Sequence, residues 1–186
     1  MVKVAVVKQF VVVSLIVAVV TVALAAGLES LSLLPPLASV QGVIIDWLFG
    51  LHLKLIAFLF ALVIVFMLYS IVVFRRKAGD SGDGMYIHGN TTIEIIWTVV
   101  PTIIVVVMGY LGVVTLRDVT ASSPDEMVVE VTSTQWKWSF EYPEQGLTST
   151  DLVLPVNRAV RFDLTATDVI HSFWVPEFRV KQDAVP

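Results

Sequence analysis

The chain has 186 residues, of which 56% are hydrophobic and 15% are charged, against about 25% charged residues in ordinary soluble domains. A soluble protein of this size could not bury so much apolar surface, so we expect a lipid bilayer to be the solvent for part of the chain. The chain contains no cysteine, which excludes disulfides, zinc–thiolate sites, iron–sulfur clusters and cysteine nucleophiles within it.

The charges divide the chain into two parts. Up to Arg117 there are seven Lys and Arg against five Asp and Glu, whereas from Asp118 onward there are five against eleven, a net charge of −6. The first part is therefore apolar and slightly basic, and the second part is polar and acidic. This asymmetry predicts a membrane region followed by a water-exposed region.

Three uncharged apolar stretches occupy residues 10–28, 55–74 and 95–116. Each is close to the roughly 20 residues that a helix needs to cross about 30 Å of hydrocarbon. Valine and isoleucine are abundant in all three, but a lipid-exposed segment must satisfy its own backbone hydrogen bonds, so we predict helices rather than strands.

The first stretch has two interpretations. A basic start, an apolar middle and small residues afterwards also describe a secretory signal, but 19 residues exceed the usual apolar core of about 7–15. We therefore expect residues 1–28 to form a retained N-terminal transmembrane helix, with a signal segment as the alternative.

Basic residues set the expected orientation. Lys3 and Lys8 precede the first stretch, and Arg75, Arg76 and Lys77 follow the second. If both basic ends lie in the cytoplasm, the third helix leads outward and the acidic C-terminal region lies outside. In a bacterium this places the protein in the plasma (inner) membrane with its C-terminal domain on the periplasmic side.

After Asp118 the apolar pattern changes to a period of two, which predicts β-strands. Residues 135–142 (QWKWSFEY) and 158–167 alternate in this way. The alternating apolar side chains are Trp136, Trp138, Phe140 and Tyr142, then Val160, Phe162 and Leu164. Such a face is typical of half of a β-sandwich core, although a tryptophan near the surface could instead couple electronically to a docked partner.

Two titratable residues are candidates for a functional role. Glu94 begins the third helix, where a carboxylate complements the helix dipole and Asn90 or Thr91 can cap; by residue type this structural role is favoured over proton transfer. His171 lies among aromatic residues, where a packed histidine is commoner than a metal ligand. Asp168 lies three residues earlier and could orient the His171 ring.

Three segments together resemble one protein family. They are residues 89–101 (GNTTIEIIWTVVP), 135–143 (QWKWSFEYP) and 168–186 (DVIHSFWVPEFRVKQDAVP). In this order, behind a helical hairpin, they resemble subunit II of the haem–copper oxidases, in particular the cytochrome c oxidase type. The similarity covers about residues 43–186 and leaves the first helix as an addition.

The resemblance implies a membrane α + β fold. A transmembrane helical hairpin at 43–117 would be followed by an external cupredoxin-like β-sandwich at 118–186, which is incomplete. In the family this sandwich holds a dinuclear copper centre, CuA, that receives electrons from cytochrome c. Haems and copper in subunit I then reduce oxygen to water while protons are pumped.

Residue roles follow by the same resemblance. Glu94 matches a glutamate at the mouth of a proton pathway into subunit I, and Trp136 matches the tryptophan that accepts the electron from cytochrome c. His171 matches the first histidine ligand of CuA, and Asp168 its acidic neighbour. Lys137 replaces an aromatic residue common in the family, so the docking patch differs here.

The remaining CuA ligands of the family are missing from the sequence: two cysteines, a second histidine, a methionine and a glutamate carbonyl. The chain could be an incomplete or truncated product, or one part of a split subunit completed by a second polypeptide. A third explanation is a quinol-oxidase-type subunit that has lost CuA; the intact motif around His171 argues against it.

The sequence thus predicts a subunit of a proton-pumping cytochrome c oxidase that carries no catalytic residue itself. Expected partners are subunit I and other oxidase subunits, cytochrome c or another small electron-carrier protein, and the lipid bilayer; no nucleic acid is expected. The alternative is a quinol-oxidase-type or purely structural subunit without its own copper.

Overall fold

A computed structural model describes residues 2–76, 78, 79, 82, 86 and 88–186, with side chains from residue 7 onward. The chain forms two compact units. One comprises Met1–Leu33 with Asp46–Val113, and the other comprises Leu34–Ile45 with Val114–Pro186. The basic residue Lys77 and the greater part of the loop that follows it lie outside the described residues.

Three long helices account for the apolar stretches: α1 (Val2–Ser30), α2 (Gly42–Val73) and α3 (Thr91–Val119). They contain 29, 32 and 29 residues, so each exceeds the roughly 20 residues needed to span the hydrocarbon core. Within the described part of the chain, these three helices are long and apolar enough to cross a membrane. The three predicted helices are confirmed, and each extends beyond its uncharged stretch into polar residues.

Helices α1 and α2 pack along a narrow stripe. Val13 and Val17 of α1 are buried together with Ala61 and Val65 of α2. Both pairs have i, i+4 spacing, which places them on one helix face. Ala61 is completely buried, and small side chains of this kind allow membrane helices to approach closely. Near the C-terminal end of α1, Glu29 lies 3.5 Å from Lys54 of α2.

The C-terminal region contains two sheets. The first has the strand order β3-β2-β1-β4, in which β1 is antiparallel to β2 and parallel to β4. Its strands are β1 (Met127–Thr134), β2 (Lys137–Tyr142), β3 (Leu147–Ser149) and β4 (Val160–Ala166). The second is an antiparallel pair, β5 (His171–Val175) and β6 (Val180–Ala184), joined by a short 3₁₀ turn at Pro176–Phe178.

The core of this region lies between the two sheets. Val129 and Val131 of β1 are fully buried, and Phe173 of β5 packs against them together with Phe140 and Tyr142 of β2. The alternation predicted from the sequence explains this core because every second residue of β1 and β2 faces inward. On β4, Val160, Phe162 and Leu164 pack against the same core.

Trp136 departs from the predicted pattern. Strand β2 begins one residue later, at Lys137, so Trp136 belongs to the turn before it and is 93% exposed. The prediction that Trp136 shares the strand face with Trp138 and Phe140 is therefore wrong. The pairing of Thr134 with Lys137 closes the hairpin with two residues between them and leaves no strand position for Trp136.

The predicted membrane α + β fold is confirmed as three apolar helices followed by a partial β-sandwich of two sheets. The division into domains at 1–28, 43–117 and 118–186 stays a prediction. One difference is informative: the connection between α1 and α2 groups with the β-strands rather than with the helices that it joins.

Candidate functional site

The most exposed large hydrophobic side chain of the β domain lies on a two-residue turn. Gln135 and Trp136 connect β1 to β2, and the indole of Trp136 is 93% exposed. Exposing an indole to water costs hydrophobic free energy, and tryptophan is a residue type enriched at interfaces because it combines a large apolar surface with one N–H donor. Trp136 is thus a candidate contact for a partner.

Asp168 ties this turn to the start of β5. Its Oδ2 accepts a hydrogen bond from the Gln135 backbone N–H at 2.7 Å, and its Oδ1 accepts one from the Val169 N–H at 2.8 Å. The same Oδ1 lies 2.7 Å from Nε2 of His171. The hydrogen bond from His171, followed by those from Gln135 and Val169, lowers the pKa of Asp168 to about 2, so the carboxylate is ionised at physiological pH.

His171 is held on two sides. The Asp168 carboxylate binds Nε2, and the Trp138 ring lies edge-on with its centroid 6.0 Å from the imidazole. Trp138 is itself packed against Phe173, at 5.7 Å. The structure gives Nδ1 no hydrogen bond to any residue that it describes, so Nδ1 is the nitrogen left to bind a metal ion. A carboxylate on the opposite nitrogen is the usual partner of a metal-bound histidine.

The described residues do not complete a metal site. No group of three or more His, Asp or Glu side chains within them is arranged to hold a metal ion, and the sequence contains no cysteine. A copper centre for electron transfer requires soft sulfur ligands in addition to histidine. His171 therefore fits as one ligand, and the donor set of this chain alone does not fit a dinuclear copper centre.

Glu94 lies in the other compact unit, at the start of α3. Asn90 caps this helix because its Oδ1 accepts from the N–H groups of Thr92 and Ile93, at 3.1 and 3.3 Å. The Glu94 Oε1 accepts in return from the Asn90 N–H at 3.2 Å, an arrangement similar to a capping box. Gly89 has φ +140°, and a Cβ there would lie 2.8 Å from Glu94 Oε1.

The structure brings three of the four predicted site residues together: Trp136, Asp168 and His171. Sequence reasoning missed the role of the Gln135 backbone, because a main-chain donor leaves no trace in residue type. It also missed the contact between Trp138 and His171. The alternation in β2 placed Trp138 in the core, but no local pattern shows which part of β5 covers it.

The acidic surface of the β domain is partly neutralised. Arg161 contacts Asp163 at 3.2 Å and Glu126 at 3.1 Å, and the Asp163 carboxylate raises the pKa of Arg161. On the same exposed face, Glu130 and Glu141 lie directly opposite each other across β1 and β2. Like charges at this spacing repel, and a basic partner would relieve that repulsion.

Two family models match this chain. Residues 26–113 match the family model for the transmembrane domain of cytochrome c oxidase subunit II, and residues 146–186 match the model for its periplasmic domain. Together the two matches cover more than two thirds of the chain. The chain belongs to the cytochrome c oxidase subunit II family. Its partial sandwich is accordingly of the cupredoxin-like type.

Relatives within the subunit II family include both oxidase types. Cytochrome c oxidase subunit 2 of Thermostichus vulcanus is 33% identical over 83% of this chain and 63% of its own length. Its counterpart from Alkalihalophilus pseudofirmus is 35% identical over 86% of this chain and 48% of its own length. Quinol oxidase subunit 2 of Bacillus subtilis is 35% identical over 64% of this chain and 40% of its own length.

A solved structure is also similar. The periplasmic domain of cytochrome oxidase subunit II from Bradyrhizobium japonicum is 31% identical, with a TM-score of 0.33, over 36% of this chain and 60% of that one. The chain spans between about half and just under two thirds of the length of three cytochrome c oxidase subunit 2 relatives that it matches.

Proposed function

We propose that this chain is the electron-accepting subunit of a respiratory cytochrome c oxidase in a bacterial plasma membrane. Its acidic domain lies on the periplasmic side and binds cytochrome c or a similar small electron-carrier protein. Electrons pass from there to subunit I, whose haems and copper reduce oxygen while protons are pumped. The chain itself carries no catalytic residue.

One observation carries this proposal. The exposed Trp136 is joined through the Gln135 N–H to Asp168, and the same carboxylate holds His171. An aromatic contact surface is thus two hydrogen bonds away from a potential metal ligand. A solvent-exposed indole with such a connection has no purpose in packing, whereas it suits the acceptance of an electron from a docked protein.

His171 would supply one ligand, through Nδ1, to the dinuclear copper centre CuA. When bound, such a centre accepts and passes on single electrons. Its sulfur ligands would come from residues that are not in this sequence. Asp168 would fix the tautomer and orientation of the imidazole, as outer carboxylates do for metal-bound histidines.

The electron-accepting role is tested on the purified oxidase complex. Metal analysis should find copper beyond that bound in subunit I, the near-infrared absorption of CuA should be present, and reduced cytochrome c should be oxidised. Copper confined to subunit I, together with no oxidation of cytochrome c, would overturn this role.

Glu94 would serve as the entrance of a proton pathway into subunit I. The resemblance of residues 89–101 to the family motif supports this proposal, because Glu94 matches the family's glutamate at the mouth of such a pathway. Within the described part of the chain, the hydrogen bond from the Asn90 N–H occupies Oε1, and Oε2 would be the oxygen that exchanges a proton with water.

A quinol oxidase is the second candidate function, because a quinol oxidase subunit 2 is 35% identical to this chain. Such an enzyme takes electrons from a membrane quinol and has no need of Trp136 or His171. The electron donor distinguishes the two candidate functions. A quinol oxidase would oxidise quinol but not cytochrome c, and it would lack the near-infrared band of CuA. A purely structural subunit would support neither reaction through this chain.

A further inference from the structure

The turn between β5 and β6 is held by a segment distant in sequence. We call residues 176–179 the hairpin turn. We call Leu34–Ile45 the connecting loop; it comprises most of the connection between α1 and α2 and the first residues of α2. Both belong to the same compact unit. The connecting loop is about 140 residues away from the hairpin turn along the chain, so its contacts there are tertiary interactions and not local ones.

Two hydrogen bonds from the connecting loop satisfy carbonyl groups of the hairpin turn. The Ala38 N–H donates to the Glu177 carbonyl at 2.8 Å, and the Ser39 hydroxyl donates to the Phe178 carbonyl at 3.0 Å. A 3₁₀ turn leaves carbonyls of this kind without partners inside the turn. The connecting loop therefore completes the hydrogen bonding of the hairpin turn.

Arg179 supplies the return contacts. Its Nη2 donates to the Pro35 carbonyl at 2.9 Å and its Nη1 to the Pro176 carbonyl at 2.7 Å. One guanidinium thus bridges the connecting loop and the hairpin turn, a geometry that its planar fork of donors permits. Arg179 does so with φ +60°, a backbone conformation that disfavours side chains larger than glycine.

The approach of the two segments is close. A Cβ at Gly42 would overlap Cδ1 of Leu37, and it would lie 3.0 Å from Oγ of Ser39 and 3.2 Å from Cγ of Arg179. Gly42 is buried and donates its N–H to Ser39 Oγ at 3.0 Å. Any larger residue there would displace the Leu37 side chain and crowd Ser39 and Arg179, so the close packing of this contact requires a glycine.

These contacts matter for His171 because it lies on the same hairpin. A two-stranded hairpin is marginally stable by itself in water. At the His171 end the hairpin is fixed by Asp168, and in the middle by the buried ring of Phe173. The connecting loop fixes the opposite end, so that the β5–β6 pair is held along its whole length.

We propose that the connecting loop is a clamp that positions the β5–β6 hairpin, and with it His171, and that Arg179 is the positioning residue at its centre. The predicted effect on electron transfer rests on the proposed function, whereas the clamp itself does not. The segment between the first two membrane helices would then help to position a metal ligand of the electron-accepting domain.

The test compares three variants in the full chain within the oxidase complex. R179G removes the guanidinium, and glycine adopts the positive φ without strain. Any loosening of the hairpin in this variant therefore comes from the lost contacts. R179K keeps the charge without the planar fork. N157G is the matched control, because Asn157 also has φ +60° and lies in the turn before β4, away from the clamp.

The first measurement is hydrogen exchange resolved by peptide. In R179G we expect exchange in residues 171–184 to rise by about tenfold or more, while β1 and β2 keep their protection. R179K should fall between R179G and the wild type, and N157G should match the wild type. Unchanged exchange in R179G, or an equal rise throughout the β domain, would overturn the clamp.

The second measurement separates docking from electron transfer. R179G should slow electron transfer from bound cytochrome c several-fold and leave the dissociation constant of cytochrome c unchanged, since Arg179 is not on the Trp136 turn. Normal electron transfer in a variant with loosened exchange would refute the positioning role. If the wild-type complex does not oxidise cytochrome c, the proposed function fails, and the exchange data still decide on the clamp.

Discussion

Two tryptophans on adjacent parts of the chain have opposite environments. Trp136 is 93% exposed, whereas Trp138 packs against His171 and Phe173. They are separated by a single residue, so the difference arises from where β2 begins. At the residue scale this gives a matched pair of substitutions.

We predict that W136A slows electron transfer from cytochrome c by at least tenfold while changing the free energy of unfolding by less than about 0.5 kcal/mol, as for other exposed positions. W138A should instead cost about 3 kcal/mol, because a packed aromatic ring is lost. Stopped-flow kinetics and chemical denaturation measure the two quantities. Equal losses of stability in both variants would show that Trp136 is a packing residue.

Asp168 joins two segments through one side chain. It accepts hydrogen bonds from the Gln135 N–H and from His171. We predict that D168A increases amide exchange at Gln135 and Trp136 and also frees the His171 ring, which nuclear magnetic resonance would detect as faster ring motion. D163A is the control, since Asp163 contacts Arg161 on the outer face. Loosening at only one of the two segments would contradict the linking role.

At the scale of elements, the start of α3 combines a cap with a candidate proton group. Asn90 caps through its Oδ1, and Glu94 returns a hydrogen bond to the Asn90 N–H. Glutamine can replace glutamate in such a cap, but its amide cannot take up and release a proton as a carboxylate can. Substitutions can therefore separate the capping role from the proposed proton-transfer role.

We predict that E94Q slows proton uptake by the oxidase several-fold with little change in stability, and that N90A costs about 1 kcal/mol in stability with normal proton uptake. Proton uptake is followed with a pH indicator during turnover, and stability by thermal unfolding of the complex. Normal uptake in E94Q would leave Glu94 with a capping role only.

The elements of this chain differ in how far the sequence predicts them. The three helices were predictable, because uncharged stretches of about 20 residues have few other structures open to them in a bilayer. The strands around Phe140 and Phe162 were predictable from alternation. The exposure of Trp136 was not predictable, because it depends on the residue at which β2 begins. The contact of Arg179 with Pro35 was not predictable either, because the two residues are distant in sequence and no local pattern relates them.

At the scale of the whole molecule, charge is unevenly distributed. The region from Asp118 onward has a net charge of −6, and strand β2 exposes both Lys137, next to Trp136, and Glu141. Screening by salt weakens attraction between exposed charges beyond about 10 Å at 0.1 M. Docking of a basic electron donor should therefore depend on ionic strength.

We predict that the association rate with a basic cytochrome c falls by about tenfold or more from low to physiological salt. K137E should raise this rate and E141K should lower it, because the two changes alter charge equally and in opposite directions on one strand. Stopped-flow association kinetics at several salt concentrations provide the measurement. Rates that are independent of salt and of both substitutions would exclude electrostatic steering.

The first sheet has consequences for handling the β domain in isolation. Strand β4 is at one end of the strand order. Among the described residues its outer side makes one backbone hydrogen bond, from the Ala166 N–H to the Val185 carbonyl at 3.1 Å, and pairs with no further strand. An unpaired strand is a template for pairing with another molecule. Arg161 and Asp163 project from this strand as charges, and charged side chains discourage such pairing. We therefore expect that neutralising both would favour insoluble aggregates of the isolated β domain during expression.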